Sequence, residues 1–207
     1  KMIGGKVIFE NGKMIIDTNG CNTPVAPYEL VKTMRASFYV LGPFMARYQY
    51  AEVSLPGGCA WGPRPVDFHL KALEAMGATI DLEQGNLISK GKLHGGNVRF
   101  EKVSVGATGN TLMAAVKADG ITNISNAAME PDITDLVDFL IKMGGDIEGR
   151  DTNEIKIIGK ETLGGSIQHD IIPDRIEAGT YLIGAALNGG ELTLKKVNSD
   201  HLLIVIE

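Results

Sequence analysis

The sequence predicts an α/β fold built from a repeated β-α-β-α-β-β unit, incomplete at both ends. Three observations predict it. First, "KMIGGKVIFENGKMIID" (1–17), "LEAMGATIDLEQGNLIS" (73–89) and "LIKMGGDIEGRDTNEIKII" (140–158) share one pattern. Each has the close of an apolar helical stripe, a glycine, and two short β-type runs around a turn. Second, prolines open helical stripes: Pro65 precedes Val66, Leu70, Leu73 and Met76, and Pro131 precedes Ile133, Leu136, Val137, Leu140 and Ile141. Third, Gly4, Gly77 and Gly144 recur at intervals of about 70 residues, the size of a unit that buries its apolar face only against its neighbours.

The elements follow in order. Lys1-Met2-Ile3 reads as the last turn of a helix whose start is missing, ended by Gly4 in the left-handed conformation. Asn11-Gly12 is a strong hairpin signal. A helix is expected over about 28–47, then the strand "AEVSL" (51–55). The Pro65 helix follows, Gly77 ends it, and Gln84-Gly85 turns the next hairpin. The second unit has a helix over about 107–118, the strand "ITNIS" (121–125), the Pro131 helix and Gly144, with Thr152-Asn153 in the turn position.

A third copy opens with "RIEAGTYLIGAAL" (175–187) and the strand-like "GELTLKKV" (190–197). "NSDHLLIVIE" (198–207) then starts a helix, capped by Ser199 or Asp200, and stops before its glycine and hairpin. The chain therefore reads as a segment of a longer protein, with one domain over 1–161 and the opening of a second over 162–207. Without sister units, Ile183, Leu187, Leu202, Leu203 and Ile204 are expected to face water in an isolated copy, or to dock on another.

Composition narrows the function. The 207 residues are 44% hydrophobic and 22% charged, ordinary for a globular protein. A net charge of −5 and a 6% aromatic content argue against nucleic acid, which needs a basic face or stacking platforms. No apolar run is long enough to span a bilayer, so no membrane role is expected. Cys21 and Cys59 show no metal-ligand spacing and nor do the four histidines; a reduced, cytoplasmic setting without metal or cofactor is expected.

The stretch "SLPGGCAWGPRPVD" (54–67) is the sharpest chemical signal. Glycines free this loop and prolines stiffen it again, while Arg64 follows Cys59 by five residues. A nearby guanidinium lowers a thiol pKa and suits it to act as acid, base or nucleophile; an inert surface thiol is the plain alternative. Cys21, in "NGCNTP", has no basic neighbour and reads as structural. "EKVSVGATGNT" (101–111) reads as a strand, a glycine turn and a helix start, a backbone site for an anion with Lys102 beside it or simply a tight turn. Arg35 and Arg47 lie on one expected helix; solvation is the plain reading of both, but Met34, Ala36 and Phe38 make Arg35 an odd choice for it. His69 either shares a ligand with Arg64 or sits on a helix surface. "PDRIE" (173–177) either pairs charges or caps a helix.

Together "SLPGGCAWGPRPVDFH", "KTMRAS", "EKVSVGAT" and "PDRIEAGT" resemble the UDP-N-acetylglucosamine enolpyruvyl transferases, in order and along essentially the whole chain. The sister enolpyruvyl-shikimate-phosphate synthases share the fold but lack the cysteine loop. Trp61 and Pro63 stand where the family commonly has an aliphatic residue and alanine. The resemblance implies an inside-out α/β barrel of two domains with ligands in the cleft between them. It implies transfer of the enolpyruvyl group of phosphoenolpyruvate to the 3-hydroxyl of UDP-N-acetylglucosamine, with release of phosphate and no cofactor.

Residue by residue, the resemblance makes Cys59 the loop cysteine that protonates the enolpyruvate methylene and is alkylated by fosfomycin. It makes Arg64 the holder of phosphate and carboxylate charge. Pro65, Val66, Asp67 and Phe68 would cradle the uridine, and Lys102, Val103, Ser104, Val105 and Gly106 the diphosphate. Arg35 would lie near the UDP-sugar. The family's lysine–asparagine pair, near its N-terminus, has no counterpart before Lys1, and its second-domain aspartate and phosphate-binding arginine would fall beyond Glu207. The partner completing the site would be the rest of the same polypeptide or another copy. The alternatives are a non-catalytic UDP-sugar-binding remnant and a sister transferase with another acceptor. Cys59 and the Arg-Pro-Val-Asp stretch weigh against the sister.

Overall fold

The computed structural model describes residues 3–55 and 66–207. The chain runs β1 (Lys6–Glu10), β2 (Lys13–Asp17), β3 (Val25–Ala26), α1 (Tyr28–Val31), a 3-10 segment (Arg35–Val40), α2 (Leu41–Tyr48), β4 (Tyr50–Ser54) and α3 (Asp67–Ala75). It continues through β5 (Thr79–Glu83), β6 (Asn86–Lys90), β7 (Asn97–Arg99), α4 (Val105–Ala115), β8 (Ile121–Ser125), α5 (Pro131–Lys142), β9 (Asp146–Glu148) and β10 (Glu154–Ile158). The last elements are α6 (Arg175–Asn188), a 3-10 turn (Ser199–Leu202) and α7 (Leu203–Ile206).

The repeat is present as two complete units. Their sheets have the orders β3-β4-β6-β5 and β7-β8-β10-β9, with the first two strands parallel and the rest antiparallel. Gly4, Gly77 and Gly144 all adopt the left-handed backbone, with φ of 96°, 95° and 94°, as the sequence pattern requires. Asn11-Gly12 and Gln84-Gly85 both have positive φ and turn two-residue hairpins, with Glu10 opposite Lys13 and Glu83 opposite Asn86. The third hairpin departs from expectation: Thr152-Asn153 only close a longer loop, 149–153, that turns at Gly149 and Asp151.

The helices are inside and the sheets outside. On β8 and β10, Thr122, Ile124, Ile155 and Ile157 are buried while their alternate neighbours are more open, so one sheet face meets the helices. Helix α4 packs against α2, α3 and α5. Its sequence "VGATGNTLMAA" suits that place: small residues let neighbours approach from every side. A Cβ at Gly42 of α2 would overlap the carbonyl oxygen of Asn110, which shows how close the two helices pass.

Four expected elements take other forms. The helix over 28–47 is broken into α1, the 3-10 segment and α2. Pro43 accounts for the junction between the 3-10 segment and α2: in a continuous α-helix it would lose a hydrogen bond and clash one turn back, whereas in the first turn of α2 it has no such bond to make. The earlier break falls at Met34, whose backbone is extended. The strand read into 101–105 lies earlier, at Asn97–Arg99, and α4 begins at Val105. "GELTLKKV" forms no strand, and the helix after it is short, capped by Asn198 rather than Ser199 or Asp200. The helical close at Lys1-Met2-Ile3 is described only at Ile3, in a turn.

Ile183, Leu187, Leu203 and Ile204 are exposed, the last at 96%. Leu202 is the exception at 3%, because its 3-10 turn folds back on α6 beside Gly179. The β1–β2 hairpin is similarly open, with Ile8, Phe9, Met14, Ile15 and Ile16 facing water.

Candidate functional site

A pocket of about 550 Å³ lies where the two units meet, lined by Arg35, Phe38, Tyr39, Phe68, His69 and the run Lys102 to Gly106, with Ala36 beside them. One wall comes from the 3-10 segment and α3 of the first unit. The other is the approach to α4 in the second. A cavity of this size takes a ligand of nucleotide dimensions.

The α4 wall gathers positive potential. Ser104 caps the helix, its Oγ accepting from the Ala107 amide at 3.2 Å, so the chain enters α4 in one fixed direction. The remaining first-turn amides have no helical partner and concentrate positive potential at the pocket. Lys102, exposed just before the cap, and Arg35, half-buried opposite, add full charges of the same sign. Glycine at 106 keeps the first turn open, since a side chain there would press on the His69 ring.

The opposite wall is aromatic. Phe38 meets the His69 ring edge-on at 5.0 Å, and Phe68 leans on Phe100 at 6.4 Å. Burial, with the Asp132 charge, pushes the Tyr39 phenol pKa up, so it stays a neutral donor. Burial and then the Arg35 charge push His69 down to about 4 against the opposing pull of Asp67, so its ring is neutral at physiological pH.

Of the residues singled out from sequence, Arg35, Phe68, Lys102, Val103, Ser104, Val105 and Gly106 converge on this pocket. Val66 packs against the core and Asp67 opens α3, with Oδ1 buried and without a hydrogen-bond partner among the described residues. Cys59, Arg64 and Pro65 lie outside the described residues. Arg47 is exposed in the last turn of α2, as a solvated residue would be. Cys21 is half-buried and its carbonyl accepts from the Tyr48 hydroxyl at 2.6 Å, in keeping with a structural place. "PDRIE" does both things read into it: Asp174 caps α6, and Arg175 pairs with Asp132 of α5 at 3.1 Å. His69 is buried rather than on a helix surface. Tyr39 and Asn110 escaped sequence reasoning. Tyr39 owes its place to the broken helix that Pro43 signals, whereas nothing local marks Asn110.

Fold and site together define the class: this is the architecture of the enolpyruvyl transferases. The enolpyruvyl transferase NikO from Streptomyces tendae superposes with a TM-score of 0.74 at 22% identity, over 87% of this chain and 44% of that one. An EPSP synthase from Acinetobacter baumannii gives 0.65 at 21%, over 89% and 42%. The family model for EPSP synthase (3-phosphoshikimate 1-carboxyvinyltransferase) matches residues 1–207, and the chain belongs to that family. Two relatives carry the name UDP-N-acetylglucosamine 1-carboxyvinyltransferase. That of Chlorobium chlorochromatii is 50% identical over 99% of this chain and 49% of its own length. That of Acinetobacter guillouiae is 51% identical over 100% and 50%. The chain spans about half the length of the curated relatives it matches.

Proposed function

We propose that this chain carries one face of the active site of a UDP-N-acetylglucosamine 1-carboxyvinyltransferase. The observation that carries the reading is the convergence of Arg35, Phe68 and Lys102 to Gly106 on one nucleotide-sized pocket at the start of α4. Half identity along the whole chain to relatives of that name supports it.

In this reading the UDP diphosphate lies on the α4 amides, with Lys102 and Arg35 beside it, and the uridine against Val66, Asp67 and Phe68. Cys59 supplies the proton. Protonation of the phosphoenolpyruvate methylene leaves an oxocarbenium-like carbon, which the sugar 3-hydroxyl attacks, giving up its proton to a base or to water, to form a tetrahedral ketal. Loss of a methyl proton and of phosphate then restores the double bond and leaves the enolpyruvyl ether. Arg64 balances the phosphate and carboxylate charge through these steps. The reaction would supply peptidoglycan precursors in the bacterial cytoplasm, and fosfomycin would alkylate Cys59. Residues 1–161 would form the cysteine-loop domain and 162–207 the opening of a second.

Phosphate release from phosphoenolpyruvate and UDP-N-acetylglucosamine tests this in the full-length protein. Cys59→Ser should lower the rate at least about 100-fold, the scale of a lost general acid, and fosfomycin should label the Cys59 peptide and leave Cys21 untouched. Unchanged turnover, or labelling at Cys21, would overturn the assignment. The 207-residue chain alone should bind the UDP-sugar weakly and not turn over; a rate near that of the full-length protein would count against the reading.

A further inference from the structure

His69, which lines the pocket, and Asn110 behind it form a buried pair whose hydrogen positions follow from the backbone around them. Asn110 is 2% exposed and His69 8%. The Gly42 amide can only donate, and it meets Asn110 Oδ1 at 2.6 Å. The Phe38 carbonyl can only accept, and it meets Nδ2 at 3.2 Å. Those two contacts fix which way the side-chain amide faces. The same Nδ2 lies 3.0 Å from His69 Nδ1. An amide nitrogen donates, so Nδ1 accepts, and the ring proton of the neutral imidazole sits on Nε2.

The Nε2 edge is turned to the first turn of α4. A Cβ built at Gly106 would lie 3.2 Å from Nε2, 3.3 Å from Cε1 and 3.8 Å from the Tyr39 hydroxyl. Nε2 is thus aimed at the part of the pocket where the α4 amides, Arg35 and Lys102 gather.

We propose that Asn110 is a positioning residue: it locks His69 as an Nε2–H donor and presents that proton to a phosphate oxygen of the bound ligand beside Gly106. The identity of the ligand rests on the functional reading above; the tautomer rests on the backbone contacts alone. Two charged groups face the ring, Arg35 from the 3-10 segment and Asp67 from its own helix; burial and the Arg35 charge together outweigh the pull of Asp67 and keep it neutral. A neutral donor held in place binds an anion without taking up a proton. The same asparagine ties the 3-10 segment and the start of α2 to α4 through Phe38 and Gly42. Arg35 is placed by this tie as well.

Nitrogen NMR of histidine-labelled full-length protein reads the tautomer directly. His69 should show a protonated Nε2 and a bare Nδ1, unchanged between about pH 5 and pH 8, where an ordinary histidine titrates. A protonated Nδ1, or titration near the ordinary histidine value, would overturn the inference. Asn110→Asp should move the proton to Nδ1, because a carboxylate can only accept; a bare Nδ1 in that variant would also overturn it. Calorimetry with UDP-N-acetylglucosamine tests the donor. His69→Phe should weaken binding roughly 10-fold, the scale of one hydrogen bond to a charged group. His69→Gln, whose amide nitrogen reaches the Nε2 position, should stay within about threefold. Equal affinities in the two variants, whether lost or kept, would sink the donor role. Failure of the unsubstituted protein to bind would overturn the functional reading and the ligand half of this inference, while the nitrogen shifts still decide the tautomer.

Discussion

The two complete units share sheet order and strand polarity and differ most in the helix after the first strand. In the second unit that helix is α4, one unbroken rod buried among its neighbours. In the first it is three pieces, Tyr28–Val31, Arg35–Val40 and Leu41–Tyr48, and the break brings Arg35 and Tyr39 into the pocket. The rod contributes its N-terminus and the broken helix its side chains. The site lies where one repeat departs from the pattern that the other keeps.

The largest expected effect attacks the contact between these two helices. Gly42→Ala should destabilise the protein by about 3 kcal/mol, the upper part of the range for overpacking, because the clash is with the Asn110 backbone. Gly109→Ala, on the rod, should cost only about 1 kcal/mol by the same principle, because its added methyl meets the movable Tyr39 ring, at 2.9 Å. Thermal or denaturant unfolding measures both. Equal losses would show that the two sides of the contact are equally rigid.

Acid should reveal the next effect. His69 titrates at about 4 in the folded chain, against about 6.5 in a free chain. The unfolded state therefore binds more protons between those values, so stability falls as pH drops from about 6.5 towards 4. The loss is on the order of 3 kcal/mol at most, each pKa unit being about 1.4 kcal/mol. His69→Phe should flatten that slope; an unchanged slope would place the acid sensitivity elsewhere.

Ser104→Ala removes the cap of the rod and should cost about 1 kcal/mol, together with part of the affinity for UDP-sugar. A stability loss with unchanged affinity would separate helix capping from anion binding. The smallest effect is expected outside the paired units. Phe9→Ser on the open β1–β2 hairpin should change the stability of the 207-residue chain by less than about 0.5 kcal/mol, since Phe9 is 67% exposed. A larger change would mean that the hairpin packs in solution.

Much of this fold was legible in the sequence because its signals are local. Gly4, Gly77 and Gly144 announce left-handed helix ends, Asn11-Gly12 a tight turn, and Pro131 the first residue of α5. Pro43 was equally local and marked one break in the first helix, but its apolar flanks read as one continuous stripe. Most of the pocket wall, Arg35, Phe68 and Lys102 to Gly106, followed from motif resemblance. Asn110 could not: its importance arises from Phe38, Gly42 and His69, each more than 40 residues away in sequence. The failed strand at 190–197 shows the reverse case, a β-type pattern with no neighbouring strand to pair with among the described residues.

The pocket's two walls belong to different units, so a ligand bound as proposed would act as a clamp. A molecule spanning Arg35 and Lys102 would bind only when the units are docked, and its binding free energy would be added to the docking equilibrium. At a ligand concentration about 100 times Kd, the gain is roughly 2.7 kcal/mol. Slowed amide exchange in α4, far beyond the residues in contact with the ligand, would be its signature.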